Sequence, residues 1–203
     1  MVDKKSFYSL NELLASPSGR LFVEQTAIVS AEALAHFCEK EIYSIFRVME
    51  ENPQNHLNKS EDQITSYIVD MLKAKCILAE HDTMHGGHAD IIVRHREFTW
   101  LAEAKIFEKG SYTWLLKGFL QLTTRYMAAR DRHGAILIYT YRPDAAKMVT
   151  KWKSMLLSYK RIQHVSECSF CPLSFYTISQ NKRSGLDIRV RHTVLGLYYK
   201  PEN

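Results

Sequence analysis

Cysteine is scarce in this chain. Its four cysteines, Cys38, Cys76, Cys168 and Cys171, are spread over 203 residues, too sparsely for the disulfide framework of a small secreted domain. Cys168-Ser169-Phe170-Cys171 has the spacing of half a zinc knuckle, but no second pair follows, which argues against a structural zinc. No apolar run approaches the ~20 residues needed to span a bilayer, so no membrane role is expected. The opening MVDKKSFYSL lacks the charged-then-apolar plan of a secretory signal. Together these absences make a reducing cytoplasm the expected setting. Internal repeats, low-complexity tracts and a phosphate-cradling glycine loop are missing as well, so the chemistry is expected to need no ATP.

What is present is an ordinary globular composition, 46% hydrophobic and 24% charged, with length enough for one substantial core. The formal charge of +5 and a pI near 8.9 lean towards a polyanionic partner. Residues 1–57 read as a helical arm. Leu10, Leu13 and Leu14 open a short amphipathic segment that ends at Ser16-Pro17-Ser18-Gly19. A longer helix is predicted from about Leu21 to Met49, stopped by Asn52-Pro53. The arm either completes the core or offers a dimer or partner surface, and core packing is the expectation. Residues 58–203 form the main domain. Ser60-Glu61-Asp62-Gln63 has capping-box form and opens a helix through Ile64, Ile68 and Leu72. Cys76–Glu80 is predicted as the first strand, and Gly86-Gly87 as a tight turn or a close backbone approach to phosphate.

The chemistry concentrates in GGHADIIVRHREFTWLAEAKIF, residues 86–107. Two segments rich in β-branched and aromatic residues flank a charged midpoint, which predicts an antiparallel hairpin. A turn centred between Arg96 and Glu97 sets Asp90 directly opposite Glu103, and His88 opposite Lys105. Side chains alternate along a strand, so Asp90, Glu103 and Lys105 share one face. Directly opposed Cβ atoms lie ~4.5–5.5 Å apart. Two acids that close repel, unless a cation lies between them. An oxygen-lined site with few protein ligands suits Mg²⁺ or Mn²⁺. The competing reading is a solvent-facing Glu103–Lys105 ion pair with Asp90 merely near a turn.

Asp90 followed by Glu103-Ala104-Lys105 at the end of the next strand resembles the PD-(D/E)XK nuclease superfamily, with His88-Ala89-Asp90 where that family's name has Pro-Asp. The resemblance implies a restriction-endonuclease-like α/β core, α-β-β-β-α-β, its central mixed sheet flanked by helices, here carrying an N-terminal helical arm. It implies Asp90, Glu103 and the backbone carbonyl of Ala104 as Mg²⁺ ligands, with Lys105 assisting the attacking water. An upstream acid often joins such a site. Glu61 is the candidate, its alternative role being to complement the helix dipole. The predicted helix from about Tyr112 to Arg130 carries a polar stripe of Lys117, Gln121 and Arg125. By the same resemblance Gln121 reaches phosphate or water, and Lys117 and Arg125 contact nucleic acid unless they form a solvated face. Gln121 and Tyr126 are similar to the Gln-x-x-x-Tyr signature of the RecB-like branch, with the gap one residue longer.

His88 is expected at the substrate or in the metal's outer surroundings; the spacing of His81, His85 and His88 fits no zinc plan. Gly134–Tyr141 reads as a buried central strand, and Asp144 to about Lys160 as a helix bearing Lys147, Lys151, Lys153 and Lys160. Ser174–Ser179 and Leu186–Val194 form a terminal hairpin whose Arg189 and Arg191 are expected along a nucleic-acid backbone. The expectation is therefore an Mg²⁺-dependent nuclease acting on DNA in preference to RNA, in restriction or anti-phage defence. Specificity would come from loops, a homodimer or a partner protein such as a helicase. The alternative is a catalytically silent nucleic-acid-binding or partner-docking module on a nuclease scaffold.

Overall fold

A computed structural model describes residues 9–84, 88–108 and 111–201. The Gly86-Gly87 turn lies outside the described residues, as do His85 and most of MVDKKSFYSL. The chain opens with α1 (Leu10–Ala15), α2 (Pro17–Thr26) and α3 (Ala31–Glu51). Where one long helix was expected, the structure has two. Ser30, extended at φ −150°, accepts from Ala33 N and starts α3 afresh. Ser16 closes α1, as expected, its N–H donating to Leu13 O. It also opens α2: its side chain caps that helix and Pro17 occupies the first turn, where no N–H is missed. Next come α4 (Glu61–Ala74), β1 (Ala79–Met84), β2 (His88–His95) and β3 (Phe98–Ile106). After them follow α5 (Tyr112–Gln121), β4 (His133–Thr140), α6 (Ala145–Leu157), β5 (Ile162–Glu167), β6 (Ser174–Gln180) and β7 (Asp187–Gly196).

The seven strands form one mixed sheet in the order β1-β2-β3-β4-β7-β6-β5. β1, β2 and β3 are antiparallel neighbours; β3, β4 and β7 run parallel; β6 and β5 return antiparallel. The first strand starts three residues later than expected, because Cys76 takes the left-handed conformation (φ 58°) as the chain leaves α4. β5 was not foreseen from the sequence, and it adds an outer strand beyond the terminal hairpin.

Alternation along the strands divides the core in two. Ile91, Ala102, Ala104, Leu137 and Tyr139 face α3 and α4, against Ile42, Phe46, Ile64 and Ile68. Thus α3 and the sheet share one core. Ile92, Leu101, Ile136, Ile138 and Val190 face α5 and α6, against Leu115, Phe119, Trp152 and Leu156. α4 begins where foreseen, with both bonds of its capping box: Gln63 N to Ser60 Oγ at 3.2 Å and Ser60 N to Gln63 Oε1 at 2.9 Å. That cap fixes where Glu61 stands at the helix start.

Candidate functional site

The site lies where two strands part. β2 and β3 pair in the expected register from His95↔Phe98 to Ile91↔Ala102. The hairpin turn is Arg96-Glu97, with Arg96 at φ 53° and its guanidinium tied to the carbonyls of Ile28 and Thr26. Pairing stops at Ile91, one residue before Asp90 and Glu103. Beyond that point β3 offers N–H groups to the side β2 has left, and carboxylates take them. Ala104 N donates to Asp90 Oδ2 at 2.6 Å, and Ile106 N to Glu61 Oε2 at 2.6 Å. Unpaired backbone donors in a buried fork are costly, so the fork itself holds both acids in place.

Lys105 fills the centre. Its Nζ lies 2.7 Å from Glu103 Oε1, 2.7 Å from the Ala104 carbonyl oxygen, 3.4 Å from Glu61 Oε1 and 4.0 Å from Asp90 Oδ2. The indole of Trp114, on α5, faces it, 5.4 Å from ring centroid to Nζ. Glu103 and Lys105 are buried, and Glu103 Oε2 is buried with no hydrogen-bond partner. Burial and then the Asp90 charge push the Glu103 carboxyl up to about 7, although Lys105 pulls the other way. Burial also raises Asp90, offset in part by the Ala104 N–H and by Lys105. Burial works against the charge on Lys105, but Glu103, Glu61 and Asp90 outweigh it and hold its pKa above the ordinary lysine value.

A divalent cation fits this donor set. Three carboxylates face one ammonium, an excess of two negative charges once Glu103 is ionised, one buried carboxylate oxygen is orphaned, and every donor is a hard oxygen. Among the described residues no three His, Cys, Asp or Glu side chains close into a metal cage by themselves. The ammonium stands at the point where their oxygens converge, and one donor is a main-chain carbonyl.

α5 closes the site from above. Gly118 lets it approach: a Cβ there would lie 2.9 Å from Lys105 Cγ, 3.1 Å from Lys105 Cε and 3.4 Å from Glu103 Cγ. After Gln121 the helix widens into one π-turn, Leu122–Tyr126. Gln121 Nε2 lies 3.4 Å from the Tyr126 hydroxyl, and Gln121 Oε1 is buried without a partner. The Tyr126 hydroxyl is held above its ordinary pKa, by burial first and then by the charges of Glu103 and Asp90. Gly118, Trp114 and the Ile106 N–H are the parts that sequence reasoning did not place in the site, and Tyr126 it named only through a signature whose gap is one residue too long. A glycine four residues after a tryptophan inside an apolar helix was the available signal.

Other expected residues fall elsewhere. His88 is exposed at the start of β2 and pairs with Met84 of β1; because β2 has left β3 there, it is not Lys105's ladder partner. Lys117 is exposed, its Nζ 5.0 Å from the Trp114 ring, and Arg125 is exposed on the π-turn. Arg191 does not suit a nucleic-acid surface. It is buried on the α3 face of the sheet, donating to Glu39 O (2.8 Å) and Ser174 Oγ (3.2 Å) beside the Phe170 ring. Arg189, two residues away on the same face, lies over the Tyr176 ring at 3.7 Å. Both are separated from the acids by the sheet.

A cleft of ≈430 Å³ opens beside the acids, lined by Glu61, Ile106, Phe107, Glu108, Ser111 and Trp114. A larger cleft, ≈710 Å³, runs along α3 and Phe170 and contains none of these groups. Among the described residues no helix is long and apolar enough to cross a membrane. Comparison with protein-family models, curated proteins and solved structures found no match.

Proposed function

We propose that the chain is a metal-dependent phosphodiesterase of PD-(D/E)XK type that hydrolyses nucleic acid, with a restriction-endonuclease-like core at residues 61–140. The observation that carries this reading is the convergence of Glu61, Asp90, Glu103 and the Ala104 carbonyl on one point beside an open cleft. The order α4-β1-β2-β3-α5-β4 supports it, as does the opposition of Gln121 and Tyr126 across the π-turn.

Asp90, Glu103, the Ala104 carbonyl and Glu61 would hold Mg²⁺ or Mn²⁺. Such an ion would supply Lewis-acid activation of water and charge neutralisation at the phosphoryl group. Lys105, whose ammonium borders the same oxygens, would orient the attacking water and offset negative charge as it develops on the phosphate. Gln121, with its free acceptor oxygen, helps hold that water. Glu103 stays fixed between Lys105 and the wall of α5 at Gly118. Trp114 gives the cleft a stacking surface for a base or sugar next to the scissile phosphate.

The direct test incubates the protein with plasmid, single-stranded DNA and RNA in Mg²⁺ or Mn²⁺, DNA being the expected substrate. Asp90→Ala and Lys105→Ala are expected to lose cleavage by a factor on the order of 10²–10³, and EDTA to abolish it. Equal rates for wild type and Lys105→Ala would sink the proposal. Binding without cleavage of any substrate, unchanged by EDTA, would assign the chain to a silent binding module whose ammonium permanently fills the cation position. Restriction or anti-phage defence in the cytoplasm is the proposed setting, with a partner protein or a second copy of the chain supplying specificity.

A further inference from the structure

The lysines of α6 do not form one uniform basic face. Lys153 is engaged with Glu167 of β5. Lys147 and Lys151, one helical turn apart, instead line a polar cleft of ≈460 Å³ together with Arg142, Asp144, Thr140 and Phe107. All three cationic side chains are exposed. The one carboxylate in the cleft, Asp144, is committed to its own helix, accepting from Lys147 N at 3.0 Å. Arg142 is braced by the segment that leaves β3, its Nη1 donating to the Glu108 carbonyl at 3.2 Å. Glu108 in turn lines the smaller cleft beside the acids, and Phe107 borders both. The two cavities therefore lie on either side of the segment that leaves β3, one next to Glu61 and Trp114, the other carrying three cations.

Resting on the reading above that the acids cut a phosphodiester, we propose that the Arg142–Lys147–Lys151 cleft holds the nucleic-acid backbone on one side of the cut, each cation taking one of the successive phosphates that flank the scissile one. The cleft has the chemistry of that ligand. A braced guanidinium can engage two phosphate oxygens at once, two ammonium groups add charge without fixed geometry, and the apolar edge of Phe107 suits a sugar. The acidic fork repels a polyanion, so a substrate held there needs positive charge nearby, and this cleft supplies it.

The test is fluorescence anisotropy with labelled single-stranded DNA, duplex DNA and single-stranded RNA, each in EDTA so that nothing is cut. The full chain is compared with the triple variant Arg142→Ala/Lys147→Ala/Lys151→Ala. Lys153→Ala/Lys160→Ala serves as the control for charge lost outside the cleft. The triple variant is expected to bind at least ~10-fold more weakly, with the slope of log affinity against log salt reduced by about 2–3. The control is expected to keep most of its affinity. Equal affinity and equal slope for triple variant and wild type would overturn the proposal, and so would an equal loss in the control. Melting curves matching wild type show that the exposed substitutions leave the fold intact. Failure of this inference is separable from failure of the hydrolytic reading. Cleavage by wild type with undiminished binding by the triple variant removes the cleft alone, whereas no cleavage with lost binding removes the hydrolysis and keeps the cleft.

Discussion

Replacing Lys105 by methionine tests whether an ammonium and a divalent cation compete for the same oxygens. Methionine keeps most of the side-chain volume in the wall formed with Gly118 and Trp114, and removes only the charge. Lys105 and Glu103 are 7% and 2% exposed, and their charged atoms are 2.7 Å apart. Breaking a buried pair of this kind costs about 3–5 kcal/mol when the orphaned charge stays ionised. For a chain of this size each kcal/mol moves the melting temperature by roughly 2–4 °C. Metal-free Lys105→Met at pH 8 should therefore melt roughly 6–20 °C below wild type. Glu103 has its carboxyl pushed up to about 7 even with Lys105 lowering it, and losing the ammonium raises it further. The deficit at pH 8 therefore stays towards the lower end of that range and shrinks again near pH 5.5, where the carboxyl takes a proton. Saturating Mn²⁺ finds the Glu103, Ala104 and Glu61 oxygens free of the ammonium, so it should raise the melting temperature of the variant more than that of wild type. Scanning fluorimetry at both pH values, with and without Mn²⁺, gives the four numbers needed. Adding Glu103→Gln to Lys105→Met should restore the metal-free stability and remove most of the Mn²⁺ response. A Mn²⁺ shift in Lys105→Met no larger than in wild type would refute the idea that the two cations share a position.

The remaining expectations concern parts around that centre. Gly118→Ala should gain up to ~1 kcal/mol of helix propensity but press on Lys105 Cγ at 2.9 Å; a melting temperature close to wild type with cleavage down at least ~10-fold is expected, and full activity would show that the close approach does not matter. Glu61→Gln keeps an acceptor for Ile106 N but loses a charge, so the Mn²⁺ concentration for half-maximal cleavage should rise about 10-fold with little change in melting; an unchanged requirement would leave Glu61 as a helix-end acid. His192 gives a pH effect away from the site. Burial holds its imidazole down to about 3, and the neutral ring accepts from Trp152 Nε1 at 3.2 Å and meets Thr177 Oγ1 at 2.9 Å. A base with its folded pKa below the unfolded value of ~6.5 contributes stability above that value and loses it as pH falls towards 3. Urea titrations between pH 7 and 4 should show this loss, and an equally steep loss in His192→Gln would assign it elsewhere.

The hairpin was legible because several local signals agreed. Ile, Val, Trp and Phe favour strands, the Arg96-Glu97 midpoint fits a turn, and period-two alternation then puts Asp90, Glu103 and Lys105 on one face. The fork was not legible, because a register count assumes that pairing continues, and nothing in His88-Ala89-Asp90 says that β2 departs there. Arg191 was misplaced for a related reason. The terminal hairpin reads from sequence as a peripheral, basic feature. The unforeseen β5 extends the sheet past β6, and β7 becomes a central strand between β4 and β6. At position 191, in the middle of that strand, an arginine has no route to solvent and must find partners inside, as it does with Glu39 O and Ser174 Oγ. The helix break at residues 27–30 was hidden by apolar spacing that continues through it, even though Ser30 is a good cap.

The π-turn shows how one residue too many becomes part of the geometry. In an ideal α-helix, positions five apart differ by about 140° around the axis, so Gln121 and Tyr126 would point to different faces and a five-residue spacing would read as a broken signature. A π-turn closes its hydrogen bonds over five residues, as Met127 N does to Leu122 O at 3.0 Å. Within such a turn, positions five apart lie one above the other. The extra residue is absorbed by widening the helix, and the amide of Gln121 meets the hydroxyl of Tyr126. Tyr126 then feels the charges of Glu103 and Asp90. Spacing along a sequence predicts opposition only for the helix type assumed. A wider turn turns the apparent departure at Tyr126 into the arrangement that a shorter gap would give in an α-helix.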